Sequence, residues 1–391
     1  MRVLISSTRF SGHLNPLLPY ADALIARGHD VAVAAPEATS RRLAQAGIAH
    51  LPVGEPAEEA AEASRRSIDA ASGAQAVQAA AADHFAGLLS RASLPDLTRI
   101  IADWRPDLVF RESLELGALV AAAAAAVPCC RVGVHCGRGE MDFFPHLVAS
   151  VDRLRSGVGL PGDDGASLRS EAVFSAFPAF MDNGVDWLGT QQPFRVRPAL
   201  AAMPPAGAER PTWAPAEGEA FVYVTLGTVS GRSEKSRTAY RAVLEALSTL
   251  PVRALLTTGP IMPREELGTI PPNVAVEAFV PQSEIMPRAQ AVVCHGGSGS
   301  LIGALAHGLP TVVMPLFADQ PHNAASVARA GAGLSVTDRT APVLRAAIAR
   351  VLADEDIRRT ARRIGEDIAR MPAVEEAVER MVALAARPGA V

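Results

Sequence analysis

The chain has 391 residues, of which 49% are hydrophobic and 20% are charged, and its formal net charge is −4. A chain of this length exceeds one typical hydrophobic core, so we expect two domains of similar size. The charge balance argues against a nucleic-acid-binding surface. The apolar run at residues 118–127 ends at Pro128 and is shorter than the roughly 20 residues that a membrane span requires.

The first half of the chain alternates short apolar runs with helical patterns. Strands are predicted at residues 2–7, 30–35, 108–110 and 130–134, and helices at 16–27, 41–46 and 116–126. Such alternation of strands and helices is typical of a parallel, doubly wound sheet. Residues 55–95 and 137–190 are less regular, although 57–82 are alanine-rich and helical in character.

The cysteines lie in or beside apolar runs and form no pair of CxxC motifs; they are Cys129, Cys130, Cys136 and Cys294. We expect buried, reduced thiols, as in a cytoplasmic protein. A strained disulfide between the adjacent Cys129 and Cys130 is the alternative. The first apolar run, residues 3–5, is too short for the core of a signal peptide.

The second half repeats the alternation after a segment rich in proline and alanine at 198–215. Strands are predicted at 221–226, 253–257, 274–278, 291–294 and 311–314, and Met371-Pro372 interrupts the pattern before a last helix at 374–386. The sequence therefore predicts an α/β fold with two Rossmann-like, doubly wound parallel-sheet domains. We place the domains at 1–200 and 219–371, with a linker at 201–218 and a C-terminal helical segment at 372–391.

The most informative segment is the glycine turn His295-Gly296-Gly297-Ser298-Gly299-Ser300, between a predicted strand and a predicted helix. Unpaired N–H groups and the positive end of the helix dipole attract phosphate at such a position. Missing side chains let a diphosphate approach the backbone, and the serines and the histidine add donors. A turn that serves only helix–sheet packing is the alternative.

Further motifs lie near predicted strand ends on either side of this turn. They are Gly12-His13, Leu226-Gly227-Thr228, Phe279-Val280-Pro281-Gln282 and Asp319-Gln320. Together with the glycine turn, they resemble the donor-binding signature of family 1 nucleotide-sugar glycosyltransferases, particularly bacterial enzymes that glycosylate antibiotics and other natural products. The resemblance implies a GT-B fold, in which an N-terminal acceptor domain and a C-terminal donor domain face each other across a cleft and the last helix crosses back to the N-terminal domain.

The resemblance also implies a catalytic pair. His13 matches the histidine that removes the acceptor proton, a task suited to an imidazole whose pKa lies near neutrality. Glu112 matches the carboxylate that orients the ring, where Asp is more usual, and the neighbouring Glu115 is an alternative partner. A loop or capping histidine is the alternative interpretation of His13.

The donor-binding residues follow from the same resemblance. Gly227, Thr228, His295, Gly297, Ser298, Gly299 and Ser300 are expected around the diphosphate, Phe279, Val280 and Gln282 around the base, and Asp319 and Gln320 at the sugar hydroxyls. A core phenylalanine is the alternative for Phe279, and a helix cap is the alternative for Asp319. Many plant relatives carry a ribose-binding Glu where this chain has Gly303, so a dTDP-activated sugar is favoured over a UDP-activated one.

The acceptor is expected to be a hydrophobic small molecule. Five residues from the less regular segments are expected to line its cleft, with core packing as the alternative: Phe143, Phe144, His146, Phe177 and Phe180. In-line displacement would invert the anomeric centre. The resemblance implies that no metal or other cofactor is required. Asp354-Glu355-Asp356 matches the D-x-D letters of metal-dependent transferases, but it precedes an amphipathic helix and is better explained as N-terminal helix charge.

Two other functions are compatible with the sequence. A nucleotide-sugar epimerase of the same fold would need further acid/base carboxylates. A catalytically silent, partner-activating homologue would be expected to lack the base. The sequence leaves open whether the chain forms a homodimer, and it specifies neither the sugar nor the acceptor.

Overall fold

The chain folds into two compact units in the computed structural model, which describes residues 1–200, 211–227 and 234–386. Unit 1 contains Met1–Ala176, Gly184–Val196 and the segment that begins at Pro372. Unit 2 contains Phe177–Asn183 and Arg197–Met371. Each unit is built around one parallel sheet.

The sheet of unit 1 has seven strands in the order β3-β2-β1-β4-β5-β6-β7. Every neighbouring pair is parallel. The strands are β1 (Arg2–Ser6), β2 (Asp30–Pro36), β3 (Ala49–Val53), β4 (Leu108–Glu112), β5 (Cys129–Gly133), β6 (Ala172–Ser175) and β7 (Phe194–Arg195). β1 lies beside β4, with Ser6 opposite Arg111, so the carboxyl ends of these two strands meet at one edge.

Helices connect these strands and cover the sheet. They are α1 (Ser11–Leu14), α2 (Leu18–Ala26), α3 (Ser40–Gln45), α4 (Glu58–Ala70), α5 (Gly73–Gln78), α6 (Arg91–Trp104), α7 (Leu116–Ala124), α8 (Gly137–Gly157) and α9 (Ala166–Ser170). A π-helical segment, Ala79–Ser90, joins α5 to α6. π-Helices are rare and occur frequently at functional sites.

The sheet of unit 2 has six parallel strands in the order β10-β9-β8-β11-β12-β13. The strands are β8 (Phe221–Thr225), β9 (Arg253–Thr257), β10 (Val274–Glu277), β11 (Ala291–Cys294), β12 (Thr311–Val313) and β13 (Gly333–Ser335). The helices are α10 (Glu234–Leu247), α11 (Gln282–Ile285), α12 (Ser298–Ala306), α13 (Gln320–Ala330), α14 (Ala341–Ala353) and α15 (Glu355–Ala369). β8 and β11 are neighbours, so their following turns lie at the same sheet edge.

The last helix, α16 (Val374–Ala385), belongs to unit 1 and packs against α2. Its residues Ala377, Val378 and Met381 are fully buried in the same core cluster as β1 and β2. An Arg27–Glu379 ion pair at 3.0 Å adds a polar contact at this junction.

The prediction of two parallel-sheet α/β domains is confirmed. The patterns missed four short strands, β3, β6, β7 and β13, and the predicted helix 16–27 begins as a 3₁₀ turn at Asn15–Leu17 before it continues as α2. The expectation of irregular structure from residue 137 was wrong for α8, which runs for 21 residues although it contains Pro145.

All four cysteines are free thiols, and three of them are buried as predicted, whereas Cys129 is half-buried. Residues 201–210 of the predicted linker lie outside the described residues. No helix in the described part of the chain is long and apolar enough to cross a membrane.

Candidate active site

His13 and Glu112 meet at the carboxyl edge of the first sheet. His13 lies on α1, which follows β1, and Glu112 is the last residue of β4, the strand beside β1. The His13 Nδ1 atom is 3.0 Å from Glu112 Oε2, a close ion-pair distance whose angle falls short of a hydrogen bond. Contacts of this kind are often poorly aligned before substrate binds. The geometry therefore places Glu112 beside the predicted base.

The Glu112 carboxylate is fully buried, yet its surroundings favour its ionised form. Burial raises its pKa, but His13, a 2.7 Å hydrogen bond from the Leu114 backbone N–H and the nearby Arg111 together lower the pKa below its usual value. A carboxylate that stays ionised can hold an imidazole and stabilise its protonated form. Glu112 has the charge state that this task requires.

Glu115 lies in the same region but has other partners. Its Oε2 accepts hydrogen bonds from Ser6 Oγ at 3.0 Å and from the Ala118 N–H at 2.9 Å, while Oε1 accepts from Ser93 Oγ at 3.0 Å. Burial, together with repulsion from Glu112, raises its pKa despite these bonds. Glu115 thus caps α7 and ties it to β1 and α6, so Glu112 is the carboxylate that contacts His13.

Aromatic rings surround His13 in unit 1. Phe85, on the π-helical segment, stacks on the imidazole at a centroid distance of 5.2 Å, and Phe10 lies 5.8 Å away. The His135 ring approaches edge-on at 6.1 Å. None of these three neighbours was predicted from the sequence. Only the contact with Phe10 could have been predicted, because Phe10 lies three residues before His13, a spacing that brings two side chains together on a helical turn.

Two of the predicted acceptor-lining residues are buried in unit 1. Phe143 and Phe144 are buried in the cluster that packs beneath α7 and α8. Phe143 contacts the His135 ring at 5.0 Å, and the Arg169 guanidinium lies 5.1 Å from the Phe144 ring. Their side chains are thus packed in the interior of unit 1, and an acceptor contact by either stays a prediction.

The remaining acceptor candidates are divided between the units. Phe177 is buried and lies in unit 2, and an acceptor contact by this residue stays a prediction. His146 on α8 and Phe180 in unit 2 are both half-buried. For these two residues, an acceptor contact stays a prediction.

The glycine turn of unit 2 opens a helix, as the sequence predicted. β11 ends at Cys294 and α12 starts at Ser298, with Gly297 in the N-cap position. No side chain caps this helix and no acidic residue lies in its first turn. The first N–H groups of α12 therefore have no side-chain cap to accept their hydrogen bonds, and the positive end of the helix dipole lies at the same place. A Cβ added at Gly299 would meet no atom within 4 Å, so the approach to this helix end is open.

His295 is buried behind the turn as a neutral imidazole. Burial lowers its pKa to about 4, although the backbone of Thr225 acts in the opposite direction. Gly227, at φ +85°, follows β8 and lies directly against the ring. A neutral histidine can donate one hydrogen bond to a phosphate oxygen without the repulsion or titration of a cation. Thr228, the next predicted donor residue, lies outside the described residues.

Of the predicted base-binding residues, Phe279 and Val280 lie between β10 and α11, and Gln282 is the first residue of α11. Phe279 is 71% exposed, so the alternative of a core phenylalanine is wrong. Val280 is buried, and the Gln282 Nε2 donates to Ser300 Oγ at 3.0 Å. A Cβ at Gly303 would stand 3.2 Å from Gln282 Oε1. The space that a longer side chain at 303 would need is thus occupied by Gln282.

Asp319 and Gln320 lie at the start of α13. Asp319 is the N-cap residue but makes no side-chain cap, and its Oδ2 accepts from Asn323 Nδ2 at 3.0 Å. Gln320 Oε1 accepts from the N–H groups of Leu316 and Phe317 at 2.8 and 3.1 Å. The glutamine oxygen therefore holds the preceding loop, and a sugar contact from either residue stays a prediction.

The D-x-D letters form a helix cap. Asp354 Oδ1 accepts from the N–H groups of Asp356 and Ile357 at 3.1 and 3.3 Å, at the N-terminus of α15. This confirms the interpretation as helix charge. Among the described residues, no group of three or more His, Cys, Asp or Glu side chains is arranged to hold a metal ion.

Comparison with known proteins identifies the family. The N-terminal domain of the erythromycin biosynthesis protein CIII-like family matches residues 22–149, and its C-terminal domain matches 241–384. The L-demethylnoviosyl transferase of Streptomyces niveus is 30% identical over 98% of this chain and 98% of its own. The tylactone mycaminosyltransferase of Streptomyces fradiae is 29% identical over 92% of this chain and 87% of its own.

Solved structures share the fold. The glycosyltransferase SnogD from Streptomyces nogalater has a TM-score of 0.78 at 24% identity and covers 98% of this chain and 99% of its own. The spinosyn rhamnosyltransferase SpnG, complexed with thymidine diphosphate, has a TM-score of 0.79 at 24% identity and covers 98% of this chain and 100% of its own. The curated relatives are named as sugar transferases, and none of these comparisons supports an epimerase. The chain belongs to the erythromycin biosynthesis protein CIII-like family of natural-product glycosyltransferases.

Proposed function

We propose that the chain transfers a deoxysugar from a dTDP-activated donor to a hydroxyl of a hydrophobic natural-product acceptor, with inversion and without a metal ion. The contact between His13 and Glu112, 3.0 Å apart at the sheet edge of unit 1, carries the proposal. It supplies a base for the acceptor hydroxyl, and the ionised Glu112 stabilises the imidazolium that results.

The reaction is a displacement at the anomeric carbon. His13 takes the proton of the acceptor hydroxyl, whose oxygen forms the new glycosidic bond. The bond from the anomeric carbon to the diphosphate oxygen breaks, and the electron pair leaves with dTDP. Attack opposite the leaving group converts an α-linked donor into a β-linked product.

The leaving group gains negative charge on its bridging oxygen as the bond breaks. The uncapped N-terminus of α12 and the neutral His295 are positioned dipoles that favour this charge in the transition state. Such fixed donors stabilise the leaving diphosphate, as the cation does in metal-dependent transferases. This supports a reaction that proceeds without added metal.

Two observations support a dTDP donor. Position 303 is a glycine whose neighbouring space holds Gln282, so no carboxylate at that site pairs with a ribose 2′-hydroxyl. SpnG has been solved with thymidine diphosphate. The acceptor class is supported by the aromatic surroundings of His13 and by relatives named as tylactone and spinosyn transferases.

Calorimetry with dTDP, UDP and GDP tests the donor class. We expect dTDP to bind most tightly, with unchanged affinity in EDTA. Transfer from an α-linked dTDP-sugar is then followed by NMR, where the coupling constant of the anomeric proton reports the product configuration. Tighter binding of UDP, an α-linked product or a loss of turnover in EDTA would each contradict the corresponding part of the proposal.

A further inference from the structure

A buried ion pair lies beside the turn that carries Glu112. Arg111 is the residue before Glu112 on β4, and Glu171 precedes β6. Their side chains are 0% and 3% exposed. Arg111 Nε donates to Glu171 Oε1 at 2.8 Å, and Arg111 Nη2 donates to Glu171 Oε2. Two parallel bonds of this kind fix the plane of a guanidinium, so the position of its third nitrogen, Nη1, is set as well.

This third nitrogen contacts the backbone of the turn between β4 and α7. Arg111 Nη1 donates to the carbonyl oxygens of Glu112 and Ser113 at 3.0 and 2.9 Å, and a longer bond reaches the Glu115 carbonyl at 3.4 Å. Hydrogen bonds from a charged donor are stronger than those between neutral groups. One guanidinium, itself held by Glu171, therefore holds the turn at three of its carbonyl groups.

The contact with Ser113 leads directly to the catalytic pair. The Ser113 carbonyl and the Leu114 N–H belong to one trans peptide group, so they point in opposite directions. The carbonyl accepts from Arg111, and the N–H donates to Glu112 Oε2 at 2.7 Å. The same carboxylate oxygen is 3.0 Å from His13 Nδ1. A single polarised peptide group therefore connects the guanidinium to the oxygen beside His13.

We propose that Arg111 positions the Glu112 carboxylate beside His13 through the Ser113–Leu114 peptide group, and that Glu171 holds the guanidinium in place for this task. This role rests on the proposed function, because it serves the reaction that His13 and Glu112 perform there. Arg111 acts through Glu112 and is a positioning residue. An ion pair that served folding alone would not be coupled to Glu112, and this difference can be measured.

Hydrogen exchange of the Leu114 amide reports the link without any substrate. Labelling with ¹³C-carbonyl serine and ¹⁵N-leucine selects the Ser–Leu peptide groups, of which the chain has four, at 93–94, 113–114, 167–168 and 300–301. The Leu114 signal is the one that Leu114→Ile removes. A lysine at 111 cannot bind Glu171 through two parallel bonds and also hold the turn, so Arg111→Lys should make the Leu114 amide exchange about tenfold faster. The other three signals should be unchanged.

Turnover tests whether the effect of Arg111 passes through Glu112. Rates are measured with dTDP-6-deoxy-α-D-glucose as the donor and with alizarin, a hydrophobic aromatic hydroxyl compound, as the acceptor. Arg111→Lys should lower kcat about tenfold and leave the donor KM within about twofold of the wild type. In a Glu112→Ala background the same change should lower kcat by less than about twofold, because the carboxylate that Arg111 positions is absent.

Arg155→Lys is the matched control for the loss of an arginine ion pair in unit 1. Arg155, on α8, pairs with the Asp163 carboxylate at 3.1 Å and donates to the Pro161 carbonyl at 2.8 Å, so its bonds are of the same two kinds. The kcat of this variant and the exchange rate of its Leu114 amide should equal those of the wild type.

A double variant separates positioning from folding. Arg111→Lys leaves Glu171 buried and poorly paired, which can destabilise the protein. Arg111→Met/Glu171→Leu removes both buried charges together, and such a replacement need not lower stability. Its melting temperature should stay near that of the wild type, while exchange at Leu114 rises and kcat falls as in Arg111→Lys.

The outcomes distinguish this role from the proposed function. Wild-type exchange at Leu114 in both Arg111→Lys and Arg111→Met/Glu171→Leu would overturn the link, and so would an equal loss of kcat with and without the Glu112 carboxylate. A wild type that neither binds dTDP nor transfers the sugar, or full activity of Glu112→Ala, would instead contradict the proposed function. The exchange rate at Leu114 depends on neither substrate, so its result stands in either case.

Discussion

The imidazole of His295 lies against Gly227 so closely that a Cβ on Gly227 would stand 2.8 Å from His295 Nε2. Gly297 borders the same nitrogen even more closely. The turns that follow β8 and β11 thus hold one ring between them. Gly227 also has a positive φ of 85°, which side-chain-bearing residues rarely adopt. These glycines position a histidine as well as leaving room for a ligand.

The first prediction separates these two effects. Gly297→Val forces His295 from its place, whereas Gly299→Val adds atoms only to open space at the start of α12. Both should weaken dTDP binding by roughly tenfold or more, about 1.4 kcal/mol, but only Gly297→Val should lower the melting temperature. Calorimetry with dTDP and thermal unfolding give both quantities. Unchanged dTDP affinity in Gly299→Val would show that the open space is not where the phosphate binds.

The second prediction concerns the catalytic pair. His13→Ala should abolish most turnover and leave dTDP affinity near that of the wild type, because the ring acts on the acceptor. Glu112→Gln keeps the shape but removes the charge beside Nδ1, and should lower kcat by roughly 10²–10⁴-fold. The exposed Glu37→Gln, at the end of β2, is the matched control. Substantial activity of His13→Ala at neutral pH would rule out His13 as the base.

The third prediction is a loss of stability below neutral pH. Burial lowers the pKa of His84 and of His295 from 6.5 to about 4, and for His84 the charges of Arg65 and His13 add to this. Between about pH 4 and pH 6.5, these two histidines bind protons in the unfolded chain but not in the folded chain. The free energy of unfolding should therefore fall as the pH drops from 6.5 to 4, by at most roughly 3 kcal/mol for each histidine.

Single variants isolate this contribution. His84→Gln should flatten the pH dependence of the melting temperature in that window relative to the wild type. His307→Gln is the control. Glu115 acts with the opposite sign, because its raised pKa adds stability at low pH that is lost as the pH rises. Glu115 is present in all of these proteins, so its contribution cancels when the variants are compared. An unchanged pH dependence of the melting temperature in His84→Gln would contradict the prediction.

The fourth prediction concerns nucleotide selectivity. The wild type should bind dTDP more tightly than UDP, since no carboxylate at 303 pairs with a 2′-hydroxyl. Gly303→Glu should shift the ratio of the two dissociation constants toward UDP. Because any side chain at 303 also displaces Gln282, Gly303→Ala is the necessary control, and it should weaken both nucleotides alike. An unchanged ratio in Gly303→Glu would refute the selectivity argument.

The sheet cores were predictable because buried parallel strands are continuous apolar runs. β9 and β11 have the bounds that the sequence indicated. Short strands such as β7, with two residues, and β13, with three, carry too few residues for a pattern to be recognised. They form because a neighbouring strand offers an edge for hydrogen bonding. That neighbour is distant in sequence, so the local pattern does not show it.

The site was predictable where the residue type itself dictates chemistry. His13, Glu112 and the glycine turn were found from motifs, and the structure brings the first two together. Phe85 and His135 lie far from His13 in sequence, and only the packing of the π-helical segment and the β5–α8 turn places them beside it. The burial of Phe143 and Phe144 could not be predicted for the same reason, since a phenylalanine has no sequence signal that separates a cleft wall from a core.

The position of α16 determines how this chain can be recombined with its relatives. Unit 1 is completed by residues at both ends of the sequence, with Ala377, Val378 and Met381 filling its core and Arg380 lying 3.8 Å above the Phe194 ring. A hybrid made with one junction near residue 200 would therefore pair α2 with a foreign last helix. Exchange of Arg197–Met371 as an insert, with two junctions, would keep the native α2–α16 contact and, under the proposed function, would transplant the proposed donor-binding turn alone.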